Sequence, residues 1–249
     1  MSTTITLTPV SAVEGTTRAE IKAEARHFLD QLAAGRLQDS VEDQFALDEA
    51  VTEAYVEYSK KVKCFPSGQL TASSTADQAA YEYSSFDADG RLFEIHTAGY
   101  DGRRVLIRRR TWLDFQRPNW RYDSAGTPTI LVPDGEQRFT LYPTPSAKAD
   151  IDVWGWLTAD LSTFTQDTDA PAIHRSRCRL LSAYAAYLVA IRFADVPESQ
   201  ARGSVAYQLW LTGTEEAYRE IHIDGDVPAV GFQSPGLDWG IDFAEITGS

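Results

Sequence analysis

Histidine and cysteine are scarce in this sequence, four and two residues among 249. The cysteines, Cys64 and Cys178, are too few and too far apart for a disulfide framework, which favours synthesis in a reducing, intracellular compartment and reads them as inert core thiols. His174 and Cys178 stand four apart, a spacing that could supply half of a zinc site on a helix, but no second pair completes it. His27, His96 and His222 have no acidic or nucleophilic neighbour in a catalytic pattern, and no nucleophile elbow is present. No apolar run approaches the ~20 residues of a membrane span, and residues 1–10 lack the basic start and apolar core of a signal peptide. Basic charge is also short: 36 acidic residues face 23 basic ones, a net charge of −13. So acidic a surface repels phosphate backbones, which argues against sequence-specific nucleic-acid binding.

Helical periodicity dominates the two ends of the chain. Thr17-Arg18-Ala19-Glu20 is a capping box; it predicts a helix with Ile21, Ala25, Phe28, Leu29 and Leu32 on its buried side and Gly35 at its end. Ser40-Val41-Glu42-Asp43 opens a longer helix whose Val51, Tyr55, Tyr58, Val62 and Phe65 alternate four and three apart, a seam for another helix. Pro66-Ser67-Gly68 stops it, and residues 70–80, mostly Thr, Ser and Ala, read as a linker or loop. After Asp169-Ala170-Pro171, an apolar stripe of Leu180, Leu181, Tyr184, Tyr187, Leu188 and Ile191 marks a third long helix. Pro197 breaks the chain and Ala206, Leu209, Trp210, Gly213, Ala217 and Ile221 mark a fourth. A connection of roughly four residues makes these last two an antiparallel pair.

Between residues 81 and 157 the period changes to two. Turn signals at Asp89-Gly90, Asp101-Gly102, 123–126 and Asp134-Gly135 separate candidate strands at 81–83, 91–96, 105–107, 129–132, 138–142 and 151–156, which read as a β-meander. One helical turn at 111–115 and a corner at Pro118-Asn119-Trp120 interrupt it. The fold expected is α+β: an antiparallel helical bundle, residues 16–66 and 158–224, with a β insertion at 67–157. An N-terminal arm at 1–15 and an extended C-terminal tail at 225–249 flank it. The tail alternates acidic and aromatic residues, with Phe232, Leu237, Trp239, Ile241 and Phe243 among them. A terminus so apolar is expected to dock on a partner, on a neighbouring copy or on its own domain.

No set of residues carries a catalytic pattern, a metal site or a cofactor motif. Asp87-Ala88-Asp89-Gly90 resembles the start of a calcium loop, but Ala98 stands where the terminal glutamate belongs, and a hairpin turn explains it better. Glu94, Asp114, Asp160 and Asp167 could form an acid–base pair, yet spacing selects none of them. Arg103, Arg104, Arg108, Arg109 and Arg110 place five guanidinium groups in eight positions. Three readings stand: solvated strand ends, contacts to the acidic surface of an adjacent copy, or phosphate contacts. Trp112, Trp120, Trp154 and Trp156 either form a sugar-stacking platform or pack in a core or interface.

The order of parts resembles the head-to-tail adaptor (connector) proteins of tailed bacteriophages over residues 16–224. Carrying the resemblance are two N-terminal helices, Leu113-Asp114 followed by Pro118-Asn119-Trp120, Gly126-Thr127-Pro128, Leu141-Tyr142-Pro143-Thr144-Pro145, and residues 169–174 leading into a helix rich in Leu, Tyr and Ala. The resemblance implies a structural protein of the virion neck, made in the bacterial cytoplasm and assembled as a twelve-copy homo-oligomeric ring under the portal protein. Such a ring extends the DNA channel, lets DNA pass without specific contacts and docks the next neck or tail protein. Arg103, Arg104, Arg108, Arg109, Arg110, Phe232, Leu237, Trp239 and Phe243 are the candidates for contacts between copies or with the portal. A carbohydrate- or receptor-binding tail module, resting on the β-region tryptophans, is the alternative; a hydrolase using two carboxylates is weaker.

Overall fold

The computed structural model describes residues 16–30, 41–135, 137–192 and 197–222. The expected N-terminal arm, Leu32, Gly35, the Ser40 cap and the C-terminal tail lie outside them. The protein is α+β, with five α-helices and one curled seven-stranded sheet among the described residues.

Helix α1 (Arg18–Asp30) starts as its capping box dictates: Thr17 N donates to Glu20 Oε2 at 2.8 Å and Glu20 N to Thr17 Oγ1 at 3.3 Å. Ile21, Ala25 and Leu29 are buried. Arg18 is buried too, and its guanidinium donates to Phe164 O at 2.5 Å and to Asp48 O and Thr52 Oγ1, both at 3.0 Å. Helix α2 (Val41–Val62) buries Val51, Tyr55, Tyr58 and Val62 at the expected spacing and ends where Lys63 takes a left-handed φ of 53°. Phe65, beyond that end, still meets Tyr55 edge-on at 6.1 Å.

Helices α4 (Arg175–Arg192) and α5 (Pro197–His222) run antiparallel, because their contacts advance on one as they retreat on the other. Leu180 faces Gly213, Tyr184 stacks on Trp210, Tyr187 stacks on Tyr207, and Ala190 faces Gly203. The sequence stripe marks this α5-facing side, and its last member, Ile191, is half exposed. The side it misses is built of small residues. Cys178, Ser182, Ala185, Ala186 and Val189 are buried because α4 packs on α1 and α2 as well as on α5. Short side chains let three neighbours approach one helix. The Cys178 and His174 pair lies at the start of α4, where the His174 ring turns to Ser176 at 2.7 Å.

The sheet departs from a meander. Its order is β1 (Leu70–Ser73), β7 (Asp150–Leu157), β3 (Leu92–Tyr100), β4 (Arg103–Ile107), β5 (Ile130–Pro133), β6 (Arg138–Tyr142) and β2 (Ala80–Glu82). Only β3–β4 and β5–β6 are sequential hairpins; β4 and β5 pair in parallel, and β7 returns between β1 and β3. The parallel step arises because a third helix, α3 (Arg110–Gln116), and a 3-10 turn at Trp120–Tyr122 carry the chain back before β5 begins. Part of the expected linker is the edge strand β1, whose polar residues are held by β7: Thr71 Oγ1 donates to Asp152 Oδ1 at 2.6 Å and Ser73 Oγ to Asp150 Oδ1 at 3.2 Å. At residues 87–90 the Asp87 carboxylate accepts from the backbone N–H groups of Asp89, Arg91 and Leu92, and the turn leads into β3 without joining two paired strands.

The sheet has its own core, including Leu92, Ile95, Tyr100, Phe139, Leu141, Ile151 and Val153. Where β7 crosses β3, Gly155 lies so close that an added Cβ would stand 2.1 Å from Glu94 O. The end of α5 is tied to this region: the His222 ring lies 5.2 Å from that of Trp156, and its Nε2 lies 2.9 Å from Val62 O.

Candidate interaction surface

The five clustered arginines divide between the two ends of β4. Arg103 and Arg104 flank the tight β3–β4 turn, where Asp101 and Gly102 both take positive φ. Arg108, Arg109 and Arg110 lie past the other end, where strand gives way to α3. Three strand residues, Val105, Leu106 and Ile107, lie between the groups and set Arg104 and Arg108 about 13 Å apart along the strand, so the cluster is two groups. All five are exposed.

Around Arg108–Arg110 the chain builds a small platform. Leu113 of α3 is fully buried against Trp120, Val132 and Tyr142, a satellite core that fixes α3 to β5 and β6. Trp120 Nε1 donates to Asp114 Oδ1 at 2.7 Å, and Arg121 pairs with the same carboxylate at 2.9 Å. The hydrogen bond from Trp120, then that from Arg121, hold the Asp114 carboxyl below its ordinary range. Tyr142 OH donates to Asp123, whose carboxylate also faces Arg117. Burial first, then this acceptor, push the Tyr142 hydroxyl up.

With Leu113 and Trp120 turned inward, the other aromatics of the segment turn out. Phe115 is 82% exposed, Tyr122 88% and Trp112 40%. Ile107, Arg108, Arg109, Thr111, Trp112 and Phe115 line an open groove, with the Arg108 guanidinium 5.6 Å from the Trp112 ring centre. Arg110 is matched to Asp134 at 2.9 Å, whereas Arg103, Arg108 and Arg109 have no carboxylate within ion-pair distance among the described residues. Phe115 and Tyr122 escaped sequence reasoning; the signal was an apolar residue two places from a buried one on a helix too short to hide both faces.

The four tryptophans of the β region form no platform. Trp120 is buried, Trp112 sits on the arginine groove, and Trp154 and Trp156 lie on β7, where Trp156 packs against His96 and His222. Burial lowers the proton affinity of His96 in that stack. Glu94 pairs with Lys63 at 2.7 Å and Asp160 with Arg91 at 3.2 Å, so these carboxylates are tied into ion pairs. Asp167 faces Lys22. Among the described residues there is no group of three or more His, Cys, Asp or Glu side chains that could hold a metal ion, and no helix is long and apolar enough to cross a membrane. Phe232, Leu237, Trp239 and Phe243 lie outside the described residues.

An exposed, cationic and aromatic projection on a well-packed α+β scaffold is the equipment of a structural protein that fits against other proteins. The chain matches the family model of the SU10 adaptor protein over residues 16–233, most of its length, and it belongs to that family of phage adaptors. No curated protein matches it.

Proposed function

We propose that this chain forms a ring of twelve copies beneath the portal in the virion neck, extends the DNA channel and docks the next neck or tail protein. The observation that carries this reading is the family match, which spans every described helix and strand. Three physical features support it. Arg103 at one end of β4 and Arg108 and Arg109 past the other suit carboxylates on an adjacent copy or on the portal, since a guanidinium fork recognises a carboxylate better than it tolerates burial alone. Phe232, Leu237, Trp239 and Phe243, on an acidic tail, are the complementary contacts. The net charge of −13 would let a polyanion slide past with weak contacts. Closed rings need one heterologous interface used repeatedly, and two separated contact sites on one strand are compatible with that.

The test is electron microscopy of the purified chain mixed with the portal protein of its own virus. Rings of the chain seated on the portal are expected; dispersed particles with a bare portal at every mixing ratio would reject the proposal.

A further inference from the structure

Residues 103–122 contain seven arginines and one aspartate in a chain that is strongly acidic overall. Arg110, Arg117 and Arg121 are matched to Asp134, Asp123 and Asp114, which leaves Arg108 and Arg109 as the unmatched cations beside the exposed rings of Trp112 and Phe115. An occupant of this groove must therefore be both anionic and aromatic. Duplex nucleic acid would satisfy the arginines but presents no free ring face to Trp112 and Phe115.

Residues 223–249 of the same chain have the required chemistry. They hold Asp224, Asp226, Asp238, Asp242 and Glu245, no lysine or arginine, and the rings of Phe232, Trp239 and Phe243. Within 237–243, apolar residues at every second position alternate with Asp238, Gly240 and Asp242. Laid extended, that stretch offers rings along one edge and carboxylates along the other.

Its point of departure is close. Helix α5 ends at His222 against Trp156; Trp156 pairs with Glu94 on β3, and β3 pairs with β4. Two strand spacings, about 10 Å, thus separate β7 from the strand that ends at the groove. The fourteen residues between His222 and Leu237 span roughly 20 Å as a coil. A tether matched to its span gives an own-chain segment a high effective concentration.

We propose that residues 237–246 dock, in the unassembled protein, on the Arg108–Arg109–Trp112–Phe115 groove of their own chain. This covers the exposed arginine and aromatic side chains of that groove in the free subunit, and it requires neither a ring nor a portal. The test uses the full chain with p-benzoylphenylalanine in place of Phe243, irradiated as a mixture of light and heavy-isotope protein and mapped by mass spectrometry. Cross-links to residues 107–122 within one isotopic chain are expected, and their yield should not change when duplex DNA is added. Cross-links elsewhere, none at all, mixed-isotope cross-links only, or loss of yield on adding DNA would each overturn the proposal. Arg108→Glu with Arg109→Glu should lower the yield about tenfold, and adding Asp238→Arg with Asp242→Arg should restore it. Loss without restoration would overturn the charge pairing.

Discussion

Tyr184 lies against Trp210 across the α4–α5 seam, with ring centres 4.5 Å apart and planes 29° from parallel. The pair joins the two helices to α2, since Tyr58 meets the same Trp210 edge-on at 6.0 Å. Tyr184→Asp puts a charge where burial already raises the tyrosine hydroxyl above its ordinary range, at a cost of several kcal/mol. Thermal unfolding by circular dichroism should show a melting temperature lower by roughly 10 °C, while Tyr184→Phe stays near the parent.

Two glycines should respond differently to alanine. At Gly155 the added Cβ meets backbone, Glu94 O at 2.1 Å, so β3 and β7 must separate; a loss of about 3 kcal/mol or more is expected. At Gly213 it meets Leu180 Cδ2 at 2.3 Å, the end of a side chain that can rotate away. The helix also gains about 1 kcal/mol from losing a glycine. Chemical denaturation should therefore rank Gly155→Ala well below Gly213→Ala in stability.

Arg18 joins three segments through Phe164 O, Asp48 O and Thr52 Oγ1 from a position 7% exposed. Arg18→Met leaves those acceptors short of donors and should cost about 2–4 kcal/mol in urea titrations. Arg18→Lys should recover little, because an ammonium cannot reproduce the fork.

Alkaline pH should weaken the helical core. Burial pushes the Tyr55 hydroxyl up to about 12 although it accepts from Ala172 N. A proton held more tightly in the folded state contributes stability that is fully present below the unfolded value near 10 and is lost as pH rises toward 12. The loss is of order 2 kcal/mol. Urea midpoints measured from pH 9 to 12 should fall over that window, and Tyr55→Phe should flatten the fall while weakening the protein at neutral pH.

Much of the helical half was legible because its signals are local. The Thr17–Glu20 box closes within one turn, and the Val51-Tyr55-Tyr58-Val62 row repeats at helical spacing along a single helix. What stayed hidden depends on distant partners. Leu70–Ser73 has the composition of a loop and becomes a strand because it pairs antiparallel with β7, whose Asp150 and Asp152 also accept from its hydroxyls. The small-residue face of α4 is buried by three helices, which no single stripe reveals. Five arginines within eight positions fall into two groups because Val105, Leu106 and Ile107 of β4 lie between them. The exposure of Phe115 follows from Leu113 claiming the inward direction of α3.

Native mass spectrometry of the full chain, mixed with the portal protein of its own virus, tests the adaptor role most directly. Assembly as a portal-bound ring predicts one dominant complex containing as many copies of this chain as of the portal, with no partial occupancy at excess chain. A spectrum of free chain and free portal at every ratio would contradict it.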